Sequence, residues 1–211
     1  DHERAALPFD PMLDFQFLTE EEYSLCDQAK EYRWFLAAWR EEFVYELMRM
    51  GLEVTPFRAL NHIAGVHYIA MTAARGLAEA QVDVDLALIS AAAAAHDVGK
   101  FGCRPGERVP YLHYYYTDQW LLGRKMEAVS HIASNHSTWD LELESLSVES
   151  LLLIYADFRC KQERDQEGNE VTTIFPLDQS FQVILSKLDN VDYEKRRRYA
   201  EKPHPTESYN R

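Results

Sequence analysis

The run Ala91 to Ala95, followed at once by His96-Asp97 and then Val98-Gly99-Lys100, constrains this chain more than any other stretch. Five consecutive alanines favour a helix with almost no side-chain bulk, so neighbouring helices can approach it closely. At its C-terminal end that helix presents an imidazole beside a carboxylate, with Gly99 placed to end it. An adjacent His and Asp can fill two positions around one ion, or the carboxylate can bridge two.

A length of 211 residues suits one domain with a substantial core. With 46% apolar and 12% aromatic residues the composition is globular rather than disordered. The 35 acidic residues outnumber the 22 basic ones, for a net charge of −13, which argues against broad nucleic-acid binding or attachment to an anionic membrane. A small anionic substrate stays compatible, because a bound metal inverts the local field. Cys26, Cys103 and Cys160 are far apart and odd in number, so no disulfide framework is expected and a reducing cytoplasm is. No apolar run approaches the length of a membrane span, and no signal-peptide pattern is present. The chain starts at Asp1 rather than at a methionine, which leaves additional domains of a longer polypeptide open. A homo-oligomer is left open.

The expected fold class is all-α. Residues 1–18 read as an extended arm lying on the body. Thr19 to Glu22 form a capping box that opens a long helix ending near Gly51, with Leu25, Tyr32, Phe35, Leu36, Trp39, Phe43 and Leu47 on or near one stripe. Further helices are expected at about 58–80 and 83–98. A loop over 101–112 precedes helices at 114–124, 126–136 and 147–159. Residues 161–171 read as an exposed loop or hairpin, 177–200 as helical and 201–211 as irregular. The expected division is an N-terminal arm and helix over 1–54, a metal-binding core over 55–160, and a loop with a C-terminal helical extension over 161–211.

His62, Val66, Ile69, Ala70 and Ala73 share one helical face, so His62 points where the core points. His67, five residues on, is about 140° round the helix and faces elsewhere. A single inward histidine is more often a core residue bonded to a carbonyl than a ligand. His96, Asp97, His113 and His136 on separate segments weaken that plain reading. His131 and His136 cannot both face one site on a regular helix. His136, at the expected helix end, is the favoured ligand, and His131 is expected to pack or to support a ligand. Asp157 interrupts the apolar run from Leu151 to Ala156, where a carboxylate is costly unless it is paired or metal-bound.

The order His62, His96-Asp97, His113, His136, Asp157 resembles the HD-domain metal-dependent phosphohydrolase superfamily. The resemblance covers about residues 55–160 and rests on RALNHIAGVHYIA, AAAAAHDVGK, YLHYYYTDQW, SNHSTWD and YADFR. His113 and His136 make it similar to the six-ligand, two-metal subgroup, which includes the HD-GYP cyclic dinucleotide phosphodiesterases and the symmetrical diadenosine tetraphosphate hydrolases. The spacing from His136 to Asp157 and the stretch YADFRCKQER resemble the second group more closely, and Ser137-Thr138-Trp139-Asp140 stands where the Gly-Tyr-Pro sequence would be, which speaks against cyclic dinucleotide cleavage. The resemblance implies an HD-type helical bundle in which His62, His96 and Asp157 hold one ion, His113 and His136 the other, and Asp97 bridges them. The ions would be Fe or Mn, with Zn compatible. Two ions about 3.5–4 Å apart can clamp a phosphoryl oxygen and share a hydroxide nucleophile. Lys100 would contact substrate phosphate, although it would equally suit an ordinary solvated lysine. Arg58, one turn before His62, could also reach the phosphate, but an ion pair with one of the many acidic residues is the favoured reading for it.

The expected activity is therefore hydrolysis of a phosphoester or phosphoanhydride in a nucleotide-type substrate, a dinucleoside polyphosphate first. Three rivals remain: a cyclic dinucleotide phosphodiesterase, a diiron oxygenase on the same ligands, and a regulatory module of a larger protein. Six metal-type residues are more than a purely binding module requires.

Overall fold

The computed structural model describes residues 5–6, 15–54, 59–107, 109–134, 136, 146–164, 166–167, 170–180 and 182. Helices dominate. In chain order they are α1 Glu20–Tyr23, α2 Ala29–Glu41, α3 Val44–Val54, α4 Ala59–Glu79, α5 Leu86–Ala95, a 3-10 turn Val98–Gly102, α6 Val109–Leu122, α7 Glu127–Ser134 and α8 Val148–Arg159. A small antiparallel sheet supplements them. Its strands β1 Ala5–Ala6, β2 Cys160–Arg164 and β3 Glu170–Ile174 lie in the order β1-β3-β2, with Ala5 and Cys160 both opposite Ile174. The all-α reading holds, and the loop-or-hairpin segment after residue 160 is a hairpin.

α5 lies at the centre, packed against α2, α4, α7 and α8. Ala87, Ile89, Ser90 and every alanine from Ala91 to Ala95 are fully buried. Without bulk, the alanine run leaves room for four neighbours, and each contact excludes water along the whole helix. Its start is fastened from three directions. The Asp85 side chain accepts from Leu88 N at 2.9 Å and from Gln28 N at 2.7 Å, and Glu149 accepts from Asp85 N at 2.7 Å. Glu31 of α2 likewise caps α7, accepting from Ala128 N and Val129 N. These carboxylates satisfy helix-end donors that would otherwise have no partner.

The N-terminal segment is helical but is not one helix. Its capping box forms as expected: Glu22 accepts from Thr19 N at 2.7 Å and Thr19 accepts from Glu22 N at 3.4 Å. The helix then stops at Tyr23 and resumes at Ala29. It turns again at Phe43, whose φ of 52° is left-handed. The stripe Tyr32, Phe35, Leu36, Trp39 is buried, but Leu25, Phe43 and Leu47 are exposed. The turn redirects α3 so that Val44 and Met48 are buried where it packs on α4. The corner is held from a distance: Glu42 accepts from Arg124 Nε at 2.6 Å and from Trp120 Nε1 at 3.1 Å. The helix also runs through Gly51 instead of ending there.

Two boundaries differ in ways that matter for the site. α5 ends at Ala95, and Gly99 does not end it but sits inside the 3-10 turn. A Cβ on Gly99 would lie 2.0 Å from the His113 carbonyl oxygen and 2.5 Å from Thr117 N, so glycine is there to let the turn press on α6. α6 itself starts at Val109, which places His113 inside a helix and not at its edge. Phe15 and Leu18 of the N-terminal arm are buried. Arg58 and the expected helix beyond residue 182 lie outside the described residues.

Candidate metal centre

The six expected ligands meet in one place, delivered by three helices and by the C-terminal ends of two more. His62 comes from α4, His96 and Asp97 from the end of α5, His113 from α6, His136 from just beyond α7, and Asp157 from α8. Asp97 is the hub. Its Oδ2 lies 3.6 Å from His96 Nε2 and 3.7 Å from His62 Nε2, whereas its Oδ1 lies 3.4 Å from His113 Nε2 and 3.8 Å from His136 Nε2. Asp157 Oδ1 is 2.9 Å from His62 Nε2 and 3.9 Å from His96 Nε2.

The backbone sets which nitrogen of each ring faces Asp97. His96 Nδ1 is 2.7 Å from the Ala93 carbonyl, His113 Nδ1 2.7 Å from that of Val109, and His136 Nδ1 2.6 Å from that of Ala133. A carbonyl oxygen can only accept, so each Nδ1 carries the hydrogen. In the neutral rings the lone pair is left on Nε2, the nitrogen turned to the carboxylate. Metal-binding histidines are commonly oriented by such a bond from the other ring nitrogen.

Electrostatics follow from burial. The side chains of His96 and Asp97 are at most 2% exposed, against 14% for His62, 15% for Asp157 and 28% for Lys100. The opening is therefore on the His62, Asp157 and Lys100 side. Burial pushes His96 down to about 3 and lowers His113 as well. Burial works against the charge of Asp97, yet His96, Lys100, His136 and His62 together hold its carboxyl below the usual carboxylate range. For His62 burial is outweighed by the hydrogen bond to Asp157 and by Cys160, and its pKa rises to about 9. The same bond holds Asp157 well below its ordinary value against burial.

His96 Nε2 and Asp97 Oδ1 are buried and have no hydrogen-bond partner among the described residues. Both offer a lone pair, and a cation would satisfy them together. His62, His96 and Asp157 bring one ligand atom each within 4.8 Å of one another, and so do His96, Asp97 and His136. These buried groups could hold a metal ion. The donor set is imidazole and carboxylate with no thiolate, since Cys160 Sγ turns to the His62 carbonyl at 3.6 Å.

No protein-family model, no curated protein and no solved structure matches the chain.

Lys100 falls where its spacing suggests. Residues three apart eclipse in a 3-10 turn, and its ammonium contacts Asp97 Oδ2 directly. His67 faces away from the centre, as expected, but is buried, 3.0 Å from Ser90 Oγ. His131 is exposed on α7. Two contributors escape a reading of ligand types. The Thr117 hydroxyl accepts from Gly99 N at 3.0 Å and donates to the His96 carbonyl at 3.3 Å, clipping the ligand-bearing turn to α6. Its spacing of one turn from His113 is the signal that points to it. Lys161 donates to the Asp157 carbonyl at 3.0 Å, and no sequence pattern marks it.

Proposed function

We propose that the protein is a metal-dependent phosphohydrolase of the HD-domain type. It would use two divalent ions to cleave a phosphoester or phosphoanhydride of a nucleotide-type substrate, a dinucleoside polyphosphate being the first choice. The observation that carries this reading is the division of Asp97, with Oδ2 facing His62 and His96 and Oδ1 facing His113 and His136. A carboxylate that only needed a counter-ion would not require an imidazole pair at each oxygen. The ordered motifs His62, His96-Asp97, His113, His136 and Asp157 support the same reading.

His62, His96 and Asp157 would hold one ion, His113 and His136 the other, and Asp97 both. Fe or Mn suits this donor set, and Zn is compatible with it. Ions bound there would supply Lewis-acid charge and a nucleophile drawn from water at neutral pH. The chain's own residues do the rest. The Ala93, Val109 and Ala133 carbonyls fix the imidazoles before anything binds, so little reorganisation remains. Lys100 places a positive charge at the more open end of the centre, where a phosphate would enter a chain that is otherwise strongly acidic. The low exposure of His96 and Asp97 keeps bulk water from screening these charges.

The test is metal analysis of protein purified without added metal, followed by a phosphate-release screen across nucleotides that includes diadenosine tetraphosphate and a cyclic dinucleotide. Two metals and phosphate release are expected. Protein with both metals bound that releases no phosphate from any nucleotide, but consumes oxygen with an organic substrate, would replace this reading with the oxygenase one.

A further inference from the structure

Three consecutive tyrosines follow His113 on α6, and they have three different surroundings. Tyr115 is exposed. Tyr116 donates its hydroxyl to Glu107, 2.9 and 3.2 Å from the two carboxylate oxygens. Tyr114 turns to the metal centre. Its ring centroid lies 3.9 Å from that of His113 and 5.0 Å from that of His136, with tilts of 38° and 36°. The two imidazoles at Asp97 Oδ1 are thus backed by one aromatic ring.

A phenylalanine would pack there equally well, so the packing leaves the hydroxyl unexplained. Among the described residues that hydroxyl has no hydrogen-bond partner. Tyr32, buried elsewhere in the core, shows the contrast: its oxygen accepts from Leu18 N and contacts Ser90 Oγ, both at 3.0 Å. Tyr114 is half-buried, and its hydroxyl is not among the buried polar atoms left without a partner, so it stays within reach of a molecule entering the centre. A phenol is an O–H donor at neutral pH even in water.

The placement is complementary to Lys100. The Lys100 ammonium contacts Asp97 Oδ2, while the histidines behind which Tyr114 stacks face Oδ1. A charged donor stands at one end of the Asp97 carboxylate, and the Tyr114 ring backs the two histidines at the other. A phosphoryl group carries several acceptor oxygens, and donors at both ends would fix its orientation across the centre.

We propose that Tyr114 contacts the substrate, its hydroxyl donating a hydrogen bond to a phosphoryl oxygen at the His113 and His136 end of the centre while Lys100 serves the other end. The proposal rests on the phosphohydrolase reading, and it adds a specific donor that the ligand motifs do not contain.

The experiment compares the full chain, metal-reconstituted, as wild type, Tyr114→Phe and Tyr116→Phe. Metal content and melting temperature are measured together with inorganic phosphate binding by calorimetry and kcat and KM on diadenosine tetraphosphate. Tyr114→Phe should keep the metals and the melting temperature, bind phosphate more weakly, and lose about 10–100-fold in kcat/KM, as for one donor lost from an oxyanion contact. Tyr116→Phe should match wild type. Unchanged phosphate affinity and turnover in Tyr114→Phe, with wild type active, overturns this proposal alone. Loss of metal or of melting temperature in parallel with activity also overturns it, because the residue would then be structural. Wild type that neither binds nor releases phosphate overturns the phosphohydrolase reading, and this proposal with it.

Discussion

Gly99 and His113 meet backbone to backbone: a single methyl group on Gly99 would sit 2.0 Å from the His113 carbonyl oxygen. The contact locks the turn that carries Asp97 and Lys100 against the helix that carries His113. Gly99→Ala should therefore separate the two ends of the centre. Overpacking of this kind costs roughly 1–3 kcal/mol or more, about 3–10 °C in melting temperature for a chain of this size. Metal retention should fall with it. A Gly99→Ala variant with the wild-type melting temperature and metal content would show that the turn can shift freely.

Metal stoichiometry distinguishes the two ends of Asp97. His113→Ala or His136→Ala should lower the bound metal from about two ions per chain to about one, because each removes a ligand from the Oδ1 side only. His131→Ala, an exposed position on α7, should leave the count unchanged. Elemental analysis after reconstitution decides the matter. One ion in carefully loaded wild type would reduce the centre to the mononuclear pattern.

Asp97 and Lys100 touch, yet their substitutions should behave differently. Asp97→Ala removes the shared carboxylate and should abolish both hydrolysis and metal retention. Lys100→Ala should keep the metals and cost about 10–1,000-fold in turnover or apparent substrate affinity, in line with losing one electrostatic contact to a developing oxyanion. Metal content beside steady-state kinetics separates the two, and a fully active Lys100→Ala would place the phosphate elsewhere.

His67 makes a pH-dependent contribution to stability that is independent of the metal ligands. Burial first, then Arg75, pushes its pKa down from 6.5 to about 3. The unfolded chain takes up a proton below pH 6.5 that the folded chain refuses until about pH 3. The contribution is thus fully present above pH 6.5 and is lost as pH falls towards 3, with a slope of up to about 1.4 kcal/mol per pH unit. His67→Gln should flatten the decline. Denaturant unfolding at pH 7, 6 and 5 with chelator throughout measures it, and identical slopes for variant and wild type would refute the assignment.

Local pattern carried a large part of this protein. The 3.6-residue period placed α4, α5 and α8 within a few residues and put His62 on the inward face of α4. The alanine run announced a crowded central helix with His96 and Asp97 at its end, and Asp157 stood out as a carboxylate in an apolar run. All of these signals are local, because they arise from backbone geometry and from the cost of burying a charge. Non-local partners decided the rest. The α2–α3 corner has no glycine or proline to mark it, and Phe43 is held left-handed where Arg124 grips Glu42 from the far end of α6. Gly99 reads as a helix end by its neighbours in sequence, but the approach of α6 makes it a packing glycine. His113 and His136 share Oδ1 of Asp97, and Tyr114 rather than Tyr115 or Tyr116 meets them, only because α6 and α7 close over the end of α5. Periodicity determines which face of a helix is buried, but the residue waiting on the other side is chosen by the packing of segments far apart in the chain.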